Sequence, residues 1–203
     1  TITRQAWLGF FIGSVFLLFF WNKKYLLVIP LLLASLLLFA SDNIENRIHS
    51  FTNLKDRSVQ ARISLWKGGW KVFKDHAITG CGYKCVDSIH SQYPDPSEWI
   101  AYYRGMHSNI FQLLVDTGVL GLGTWLSIWI AYFIEIFKRW RALVVEKSQG
   151  SAVGILMGCS AAVLAFLAGG FFETSIYDSE VAMLLYFLMG VSLAQVKKVS
   201  TVE

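Results

Sequence analysis

The sequence predicts an all-α polytopic membrane protein with about five transmembrane helices and one large helical external loop. The mean hydropathy is +0.49, and 55% of the residues are hydrophobic and 15% aromatic. A soluble domain of this size is rarely that apolar. The charges are also segregated, so that long stretches carry none, as in chains that cross a bilayer repeatedly.

Five apolar segments predict the membrane helices. Three of them are short for a span of about 20 residues, but Trp7, Trp21 and Tyr25 supply the aromatic ends that suit a membrane interface. Buried helices of a soluble protein are the alternative for these short segments, although apolar residues surround every face. The five segments are 6–21, 25–40, 109–137, 151–172 and 181–196.

Basic residues predict which side of the membrane each connection lies on. Lysines and arginines cluster at 23–24, 138–147 and 197–198, and alternating helices place all three clusters on one side. The positive-inside rule assigns that side to the cytoplasm. The chain then divides into two helices in 1–40, an external loop in 41–108 and three helices in 109–203. These clusters also account for the net charge of +4 without a nucleic-acid partner.

The external loop carries both signs of charge and predicts a small folded cap. Apolar residues recur at spacings of three and four within 57–76, which predicts an amphipathic helix. This helix could lie against the membrane surface or against the bundle. Glycines in 78–84 end it, and the turn at 93–99 predicts a second short helix starting near Ser97. The predicted apolar face consists of Val59, Ile63, Trp66, Trp70 and Phe73.

The three cysteines bear on redox state and on metal binding. Cys159 lies in a predicted membrane helix, where it is interpreted as a packing residue. Cys81 and Cys85 are four residues apart in the external loop, and both a disulfide and free thiols remain open. Because His76 and His90 are isolated and supply no second ligand pair, we predict no metal and no cofactor.

Three polar groups converge on the outer face. Arg4 lies at the outer end of the first helix, Arg62 on the loop helix and His107 at the outer start of the third helix. Each residue alone could be a snorkelling, solvated or interfacial side chain. Together, two arginines can hold a pyrophosphate leaving group, and a histidine can accept a proton from an attacking hydroxyl. This combination predicts group transfer from a lipid-linked pyrophosphate.

The helix that follows His107 contains small and charged residues. Gly118 and Gly121 are predicted to let a neighbouring helix approach closely and thereby to hold His107 rigidly. Asp116 and Glu135 are the main ionisable residues within the predicted spans. The sequence pattern leaves the role of Asp116 open.

These residues resemble a known family. His107 and Ser108, followed after nine residues by GVLG at 118–121, are similar to the His-(Asn/Ser/Gln)-x9-Gly-x-x-Gly pattern of the O-antigen ligases. The chain also resembles the family in three further features, which occur in the same order: a Thr-Arg helix start, an Arg-x-x-x-Trp loop and an acidic loop. They correspond to TITRQAW at 1–7, ARISLWKGGW at 61–70 with ITGCG at 78–82, and GGFFETSIYDSE at 169–180.

The resemblance implies a metal-independent, inverting glycosyltransferase of the bacterial inner membrane whose active face is periplasmic. The donor would be an O-antigen glycan on undecaprenyl pyrophosphate, and the acceptor would be lipid A–core oligosaccharide. The membrane lipids would be further partners. Family members carry several helices before the Thr-Arg start. We therefore expect a longer protein, of which the present segment alone is inactive.

The resemblance also implies residue roles. Arg4 and Arg62 would contact the pyrophosphate, with Arg57 as the rival of Arg62, and His107 would act as the base or orient the acceptor. Apart from the resemblance, Ser108, Asn109, Glu173 and Asp178 are candidate substrate contacts. For Glu173 and Asp178, which could bind acceptor sugar hydroxyls, the alternative is an ordinary solvated loop. An O-antigen polymerase or an O-oligosaccharyltransferase of the same architecture is the first alternative. A transporter or flippase without chemistry is the alternative of another class, because polar helix mouths can line a substrate path.

Overall fold

The computed structural model describes residues 4–21, 24, 57–94, 97–145 and 150–195. Over these residues it contains helices and no strand, which confirms the all-α prediction. The predicted segment 25–40 lies outside them, as do residues 95–96 of the predicted turn. The elements are α1 (Arg4–Trp21), α2 (Arg57–Asp75), α3 (Val86–Ile89), a 3-10 turn (His90–Gln92), α4 (Trp99–Tyr103), α5 (Asn109–Val145), α6 (Gly150–Gly169) and α7 (Ser179–Leu193).

The chain divides into two units, which we name by their contents. The loop unit is Trp21–Leu122 and holds α2, α3, α4 and the beginning of α5. The helical unit is Thr1–Phe20 together with Gly123–Glu203, and it holds α1, the remainder of α5, α6 and α7.

Within the residues that the structure describes, two helices, α5 and α6, are long and apolar enough to cross a membrane. Only 17% of the most apolar stretch of α5 and 33% of that of α6 are buried within the protein. The core helix of a soluble protein would be mostly buried, so these exposed apolar surfaces are better suited to lipid. Ala6–Trp21 and Ser179–Leu193 are shorter apolar helices, and a total of five spans stays a prediction.

Small residues bring α1 and α6 together in the helical unit. A Cβ atom added at Gly9 would lie 2.6 Å from the carbonyl oxygen of Ala165, and one added at Gly13 would lie 3.1 Å from that of Ala161. Glycines and alanines at a spacing of four allow such close backbone approach between membrane helices. The helix pair is therefore held by van der Waals contact along a stripe without side-chain bulk.

Polar side chains connect α5, α6 and α7 inside the helical unit. The hydroxyl of Tyr132 lies 3.3 Å from Ser160 Oγ and 2.9 Å from Ser192 Oγ, and all three residues are buried. Hydrogen bonds of this kind between membrane helices contribute about 0.6 kcal/mol each on average. They fix the rotation of three helices whose apolar surfaces alone would not specify it.

Glu135, which the sequence places inside a span, is paired rather than isolated. Its carboxylate accepts a hydrogen bond from Arg139 Nε at 2.9 Å, one helical turn further along α5. Arg139 also donates to the carbonyl oxygens of Leu193 and Gln195 at the end of α7. The arginine thus neutralises a carboxylate and satisfies carbonyl groups that a helix end leaves without intrahelical partners.

In the loop unit, the predicted helix over 57–76 is α2, so its extent is confirmed. The predicted apolar face is not the face that is buried within the loop unit, and its contact with a membrane surface or with the bundle stays a prediction. None of the five predicted residues is fully buried, and Trp70 is 45% exposed. The buried residues are Ala61, Leu65, Gly68, Gly69 and Val72.

The two glycines explain which side of α2 is buried. A Cβ atom added at Gly68 would lie 2.8 Å from Ile100 Cδ1, and one added at Gly69 would lie 2.5 Å from Met106 Sδ. Ile100 belongs to α4 and Met106 precedes α5, and both are buried. At these two positions the buried face of α2 has no side chain and accepts the large side chains of its neighbours, which gives the dense packing of a protein interior.

The remaining parts of the loop unit are short. The predicted helix near Ser97 begins at Trp99 instead, after Glu98 adopts a left-handed backbone with φ of 54°. The Tyr93 hydroxyl donates to Asp75 Oδ2 at 2.8 Å and so joins the end of the 3-10 turn to the end of α2. This hydrogen bond to a carboxylate raises the pKa of Tyr93, because it stabilises the protonated phenol.

Candidate functional site

The helix that follows His107 is interrupted at Gly118. Its backbone there has φ of 63° and ψ of −164°, which is not helical. Glycine is essentially the only residue that adopts this combination. At Gly118 the prediction of a neighbouring helix is wrong, because the close neighbour is a loop segment, whereas close approach of a helix at Gly121 stays a prediction. An added Cβ at Gly118 would meet the backbone of Ile78 and Gly80, and one at Gly121 would meet the side chain of Thr117.

The segment 77–82, which we call the wedge, lies against this interruption. Its amides at Cys81 and Gly82 donate to the carbonyls of Val115 and Asp116, each at 3.0 Å. In the other direction, the amides of Val119 and Leu120 donate to the carbonyls of Ala77 and Ile78, at 2.9 and 3.2 Å. The wedge therefore satisfies the backbone groups that a helix interruption leaves without partners.

Cys81 and Cys85 form a disulfide that closes the turn after the wedge, with their Cα atoms 5.7 Å apart. Among the described residues, these two sulfurs and a carboxylate oxygen of Asp116 are the one group of three that could ligate a metal, since they lie within 4.8 Å of one another. A disulfide sulfur is not a thiolate, however, and thiolates are the metal ligands. The cluster as observed is a cross-link beside a buried carboxylate.

Asp116, whose role the sequence leaves open, joins the wedge to α5. The residue is 1% exposed. Its Oδ2 atom accepts hydrogen bonds from the backbone amide of Lys84 at 3.2 Å and from Gln112 Nε2 at 3.0 Å. A buried carboxylate needs such donors, because desolvation without them is costly. Asp116 thus lies in the core of the loop unit, in contact with residues of the segment that precedes α5.

Gln112 extends this network to the turn that carries His107. Its Oε1 atom accepts a hydrogen bond from the amide of Met106 at 3.0 Å, and the carbonyl of Met106 accepts one from Trp66 Nε1 at 2.9 Å. Both backbone polar groups of Met106 are therefore fixed by side chains. His107 follows with a left-handed φ of 46°, a conformation that costs about 1–3 kcal/mol and persists where its surroundings determine it.

Trp66 connects the turn of His107 to the side of α2 that carries Arg62. The indole ring stacks on Phe111 in the first turn of α5, with centroids 5.1 Å apart and planes 5° from parallel. Arg62 precedes Trp66 by one helical turn, so the two side chains lie on the same side of α2. The Arg-x-x-x-Trp spacing therefore has a structural reason. Trp66 docks α2 against the turn of His107, and Arg62 is carried to the same side.

The two candidate arginines of α2 have different neighbours. Arg62 donates to Ser58 Oγ at 2.8 Å, also on α2, and is half-buried. Arg57 is exposed, and its guanidinium carbon lies 5.2 Å from the centroid of the Trp99 ring. Cations favour this position over an aromatic face. Both arginines are on the loop unit that holds His107, and which of them binds a phosphate stays a prediction.

Aromatic side chains on α4 contact one another and the imidazole of His107. The sequence interpretation missed this feature. The rings of Trp99 and Tyr103 stack with centroids 5.6 Å apart, and Tyr103 meets the imidazole of His107 edge to face at 5.0 Å. Tyr102 packs edge to face against Tyr103 at 4.8 Å. The spacing of four between positions 99, 103 and 107 is the sequence signal that could have found it.

Ser108 and Asn109 help to build the start of α5. Each is 1% exposed. Ser108 Oγ accepts a hydrogen bond from the amide of Phe111 at 3.4 Å, as an N-cap residue does, and its carbonyl accepts one from the amide of Gln112 at 2.9 Å. Contact of either side chain with a substrate stays a prediction.

The other predicted site residues belong to the helical unit. Arg4 is the first residue of α1. Glu173 lies in the turn between α6 and α7, and Asp178 is the exposed residue immediately before α7, where a carboxylate is favoured by the helix dipole. Their proximity to Arg62 and His107 stays a prediction.

Comparison with known proteins gives one result for the family. No curated protein matches the chain. Residues 1–126 match the model of the family described as O-antigen ligase, which is more than half of the 203 residues. The matched region contains Arg4, the whole loop unit and the interruption of α5 at Gly118. The chain therefore belongs to the O-antigen ligase family.

Proposed function

We propose that this protein transfers an O-antigen glycan from undecaprenyl pyrophosphate to a hydroxyl of lipid A–core oligosaccharide. Family membership supports a role in O-antigen glycosyl transfer, and the exposed apolar surfaces of α5 and α6 are compatible with a bacterial membrane protein. The proposal adds that the protein is a multi-pass inner-membrane enzyme, that its active face is periplasmic, and that it works without a metal.

One observation carries the assignment of residues. Trp66 donates to the carbonyl beside His107 and stacks on the first turn of α5, while Arg62 lies one turn away on the same side of α2. A guanidinium suited to phosphate and an imidazole suited to proton transfer are thereby held on one scaffold. The network through Gln112 and Asp116 fixes the backbone of that scaffold.

In the proposed reaction, the acceptor hydroxyl oxygen attacks the anomeric carbon of the first donor sugar. The bond from that carbon to the pyrophosphate oxygen breaks, and undecaprenyl pyrophosphate leaves with the electron pair. His107 accepts the hydroxyl proton. Arg62, with Arg4 or Arg57 as a second cation, stabilises the charge that develops on the pyrophosphate. A single displacement from the opposite face inverts the anomeric configuration.

The experiment compares variants of the full-length protein in cells that lack the gene, with capped lipopolysaccharide read on a gel. His107→Ala and Arg62→Ala should abolish capping, and Arg62→Lys should remain poor because lysine lacks the planar fork of donors. The controls are His90→Ala, whose imidazole contacts the carbonyl of Asp87, and Lys74→Ala at the exposed end of α2. Both should cap normally.

The gel also separates the alternatives. Variants that accumulate long polymer on the carrier without attaching it indicate a ligase, whereas variants that leave single repeat units indicate a polymerase. Transfer by the purified full-length protein in detergent, where no gradient exists, would exclude a pure transporter. Normal capping by both His107→Ala and Arg62→Ala, at wild-type expression, would overturn the assignment of the site.

A further inference from the structure

The aromatic residues of α4 form a surface that the proposed catalytic roles do not use. We call Trp99, Tyr102 and Tyr103 the aromatic platform. Tyr102 is 76% exposed and Tyr103 is 42% exposed. The three rings are nevertheless ordered against one another by one stacked and one edge-to-face contact. Aromatic surface that is both ordered and exposed is characteristic of a binding site, because a ligand then loses little entropy to side-chain ordering.

The neighbours of the platform distinguish its ligand from a lipid bilayer. The other exposed residues of 97–104 are Ser97, Glu98, Ala101 and Arg104, which include both signs of charge and no large aliphatic side chain. A helix that inserts into a membrane surface usually combines aromatic residues with leucine or phenylalanine and carries mainly lysine and arginine on its polar face. The platform is instead suited to a ligand that has an apolar face and a polar rim.

A pyranose ring has that chemistry. Its axial C–H groups form an apolar face that can stack on an aromatic ring, and its hydroxyl groups lie around the edge. The phenol groups of the two tyrosines can donate to and accept from those hydroxyls. A sugar thus matches the platform in both its stacking surface and its hydrogen-bonding groups.

The two ends of the platform indicate which sugar it would meet. The guanidinium of Arg57 lies over Trp99 at one end, and the imidazole of His107 meets Tyr103 at the other. In a glycan linked to undecaprenyl pyrophosphate, the first sugar is bonded directly to the phosphate. A phosphate near the arginines of α2 would therefore bring the first sugars of the donor alongside these rings.

We propose that Trp99, Tyr102 and Tyr103 form a sugar-binding platform that stacks the pyranose rings of the lipid-linked donor beside His107. This inference rests on the proposed function, because it takes the donor to be a glycan on undecaprenyl pyrophosphate. It assigns donor recognition to the short helix immediately before the histidine, and it separates the binding of sugar from the binding of phosphate.

The test measures the binding of two lipids to the full-length protein in detergent. One is the undecaprenyl-pyrophosphate-linked O-antigen extracted from the host cells, and the other is sugar-free undecaprenyl pyrophosphate. Tyr102→Ala and Tyr103→Ala should each weaken binding of the glycan-bearing lipid about tenfold, as expected when one aromatic stacking contact is lost, and leave the sugar-free lipid unchanged. Tyr102→Phe should retain most of the binding because it keeps the ring. Tyr83→Ala removes a tyrosine that is 69% exposed elsewhere in the loop unit and should change neither affinity.

Equally weakened binding of both lipids, or unchanged binding of the glycan-bearing lipid, would contradict the proposal that the platform binds sugar. The first result would show that the rings contact the lipid or the membrane, and thermal unfolding of each variant identifies a loss caused by misfolding. Failure of the proposed function has a different signature. In that case Arg62→Ala binds sugar-free undecaprenyl pyrophosphate as tightly as the wild type, or the wild type transfers no glycan.

Discussion

Replacing Gly118 by alanine tests whether the interruption of α5 organises the loop unit. The φ of 63° and ψ of −164° at this position are accessible to glycine and strained for any other residue. Alanine forced into this conformation costs about 1–3 kcal/mol. The methyl group adds a steric cost, because an added Cβ would lie 2.5 Å from the carbonyl carbon of Ile78 and 2.6 Å from the amide nitrogen of Gly80.

The steric conflict involves backbone, so the wedge itself must move. Four hydrogen bonds cross the interruption, and each contributes about 1 kcal/mol net. Losing two of them together with the conformational strain gives a destabilisation of about 3–5 kcal/mol. Because Asp116 accepts its hydrogen bonds beside this point, the displacement should also reach Gln112 and the turn of His107.

Gly123→Ala is the matched control, since it makes the same chemical change five positions further along α5. An added Cβ at Gly123 meets nothing within 4 Å, and alanine is a better helix former than glycine by about 1 kcal/mol. Hydrogen exchange of residues 77–85 in the full-length protein should accelerate strongly in Gly118→Ala and remain as in the wild type in Gly123→Ala. Equal protection of the wedge in both variants would refute the reasoning.

Three further predictions follow, two for the loop unit and one for the helical unit. Asp116→Ala should lower the free energy of unfolding by about 2–4 kcal/mol, because the buried side chain of Gln112 and the part-buried amide of Lys84 lose their acceptor. Asp116→Asn should retain most of the stability, and comparable unfolding of the two variants would contradict the network. Cys81→Ser should destabilise the loop unit by about 2 kcal/mol, the value expected for so short a closed loop. A reductant should lower the unfolding temperature of the wild type but not that of the variant. Gly9→Leu should weaken the packing of α1 on α6, which should make proteolysis of the full-length protein in detergent faster. Gly154→Leu should not, because a Cβ at Gly154 meets nothing within 4 Å. Equal rates of proteolysis in the two variants would show that the glycine stripe does not matter.

The helices themselves could be predicted from the sequence, because periodicity and apolar length are local properties. The extent of α2 agrees with its spacing of apolar residues. The face that is buried within the loop unit is a different one from the apolar face marked by the large side chains, since a periodicity analysis gives glycine no weight. Gly68 and Gly69 are buried because Ile100 and Met106 occupy the space that their missing side chains leave. That information lies in residues about 30 positions away.

Contacts with distant residues also explain why the interruption of α5 was not predicted from the sequence. A glycine in an apolar segment has the same local pattern whether it packs against a helix or interrupts one. Gly118 is distinguished only by its contact with the wedge, which is about 40 residues earlier in the chain. Asp116 could not be explained without the amide of Lys84 and the side chain of Gln112. Residue type and order were enough to nominate the candidate residues, which stay predictions, whereas the contacts around His107 in the loop unit could not be predicted.

The central claim is that His107 takes the proton of the acceptor hydroxyl on a scaffold that also binds the donor pyrophosphate. The most direct measurement is the rate of glycan transfer by the purified full-length protein, from undecaprenyl-pyrophosphate-linked O-antigen to lipid A–core, in the wild type and in His107→Ala. We predict that the variant binds the donor normally and transfers it about 10²–10⁴ times more slowly, the usual contribution of a general base. Transfer by His107→Ala at the wild-type rate would contradict the account.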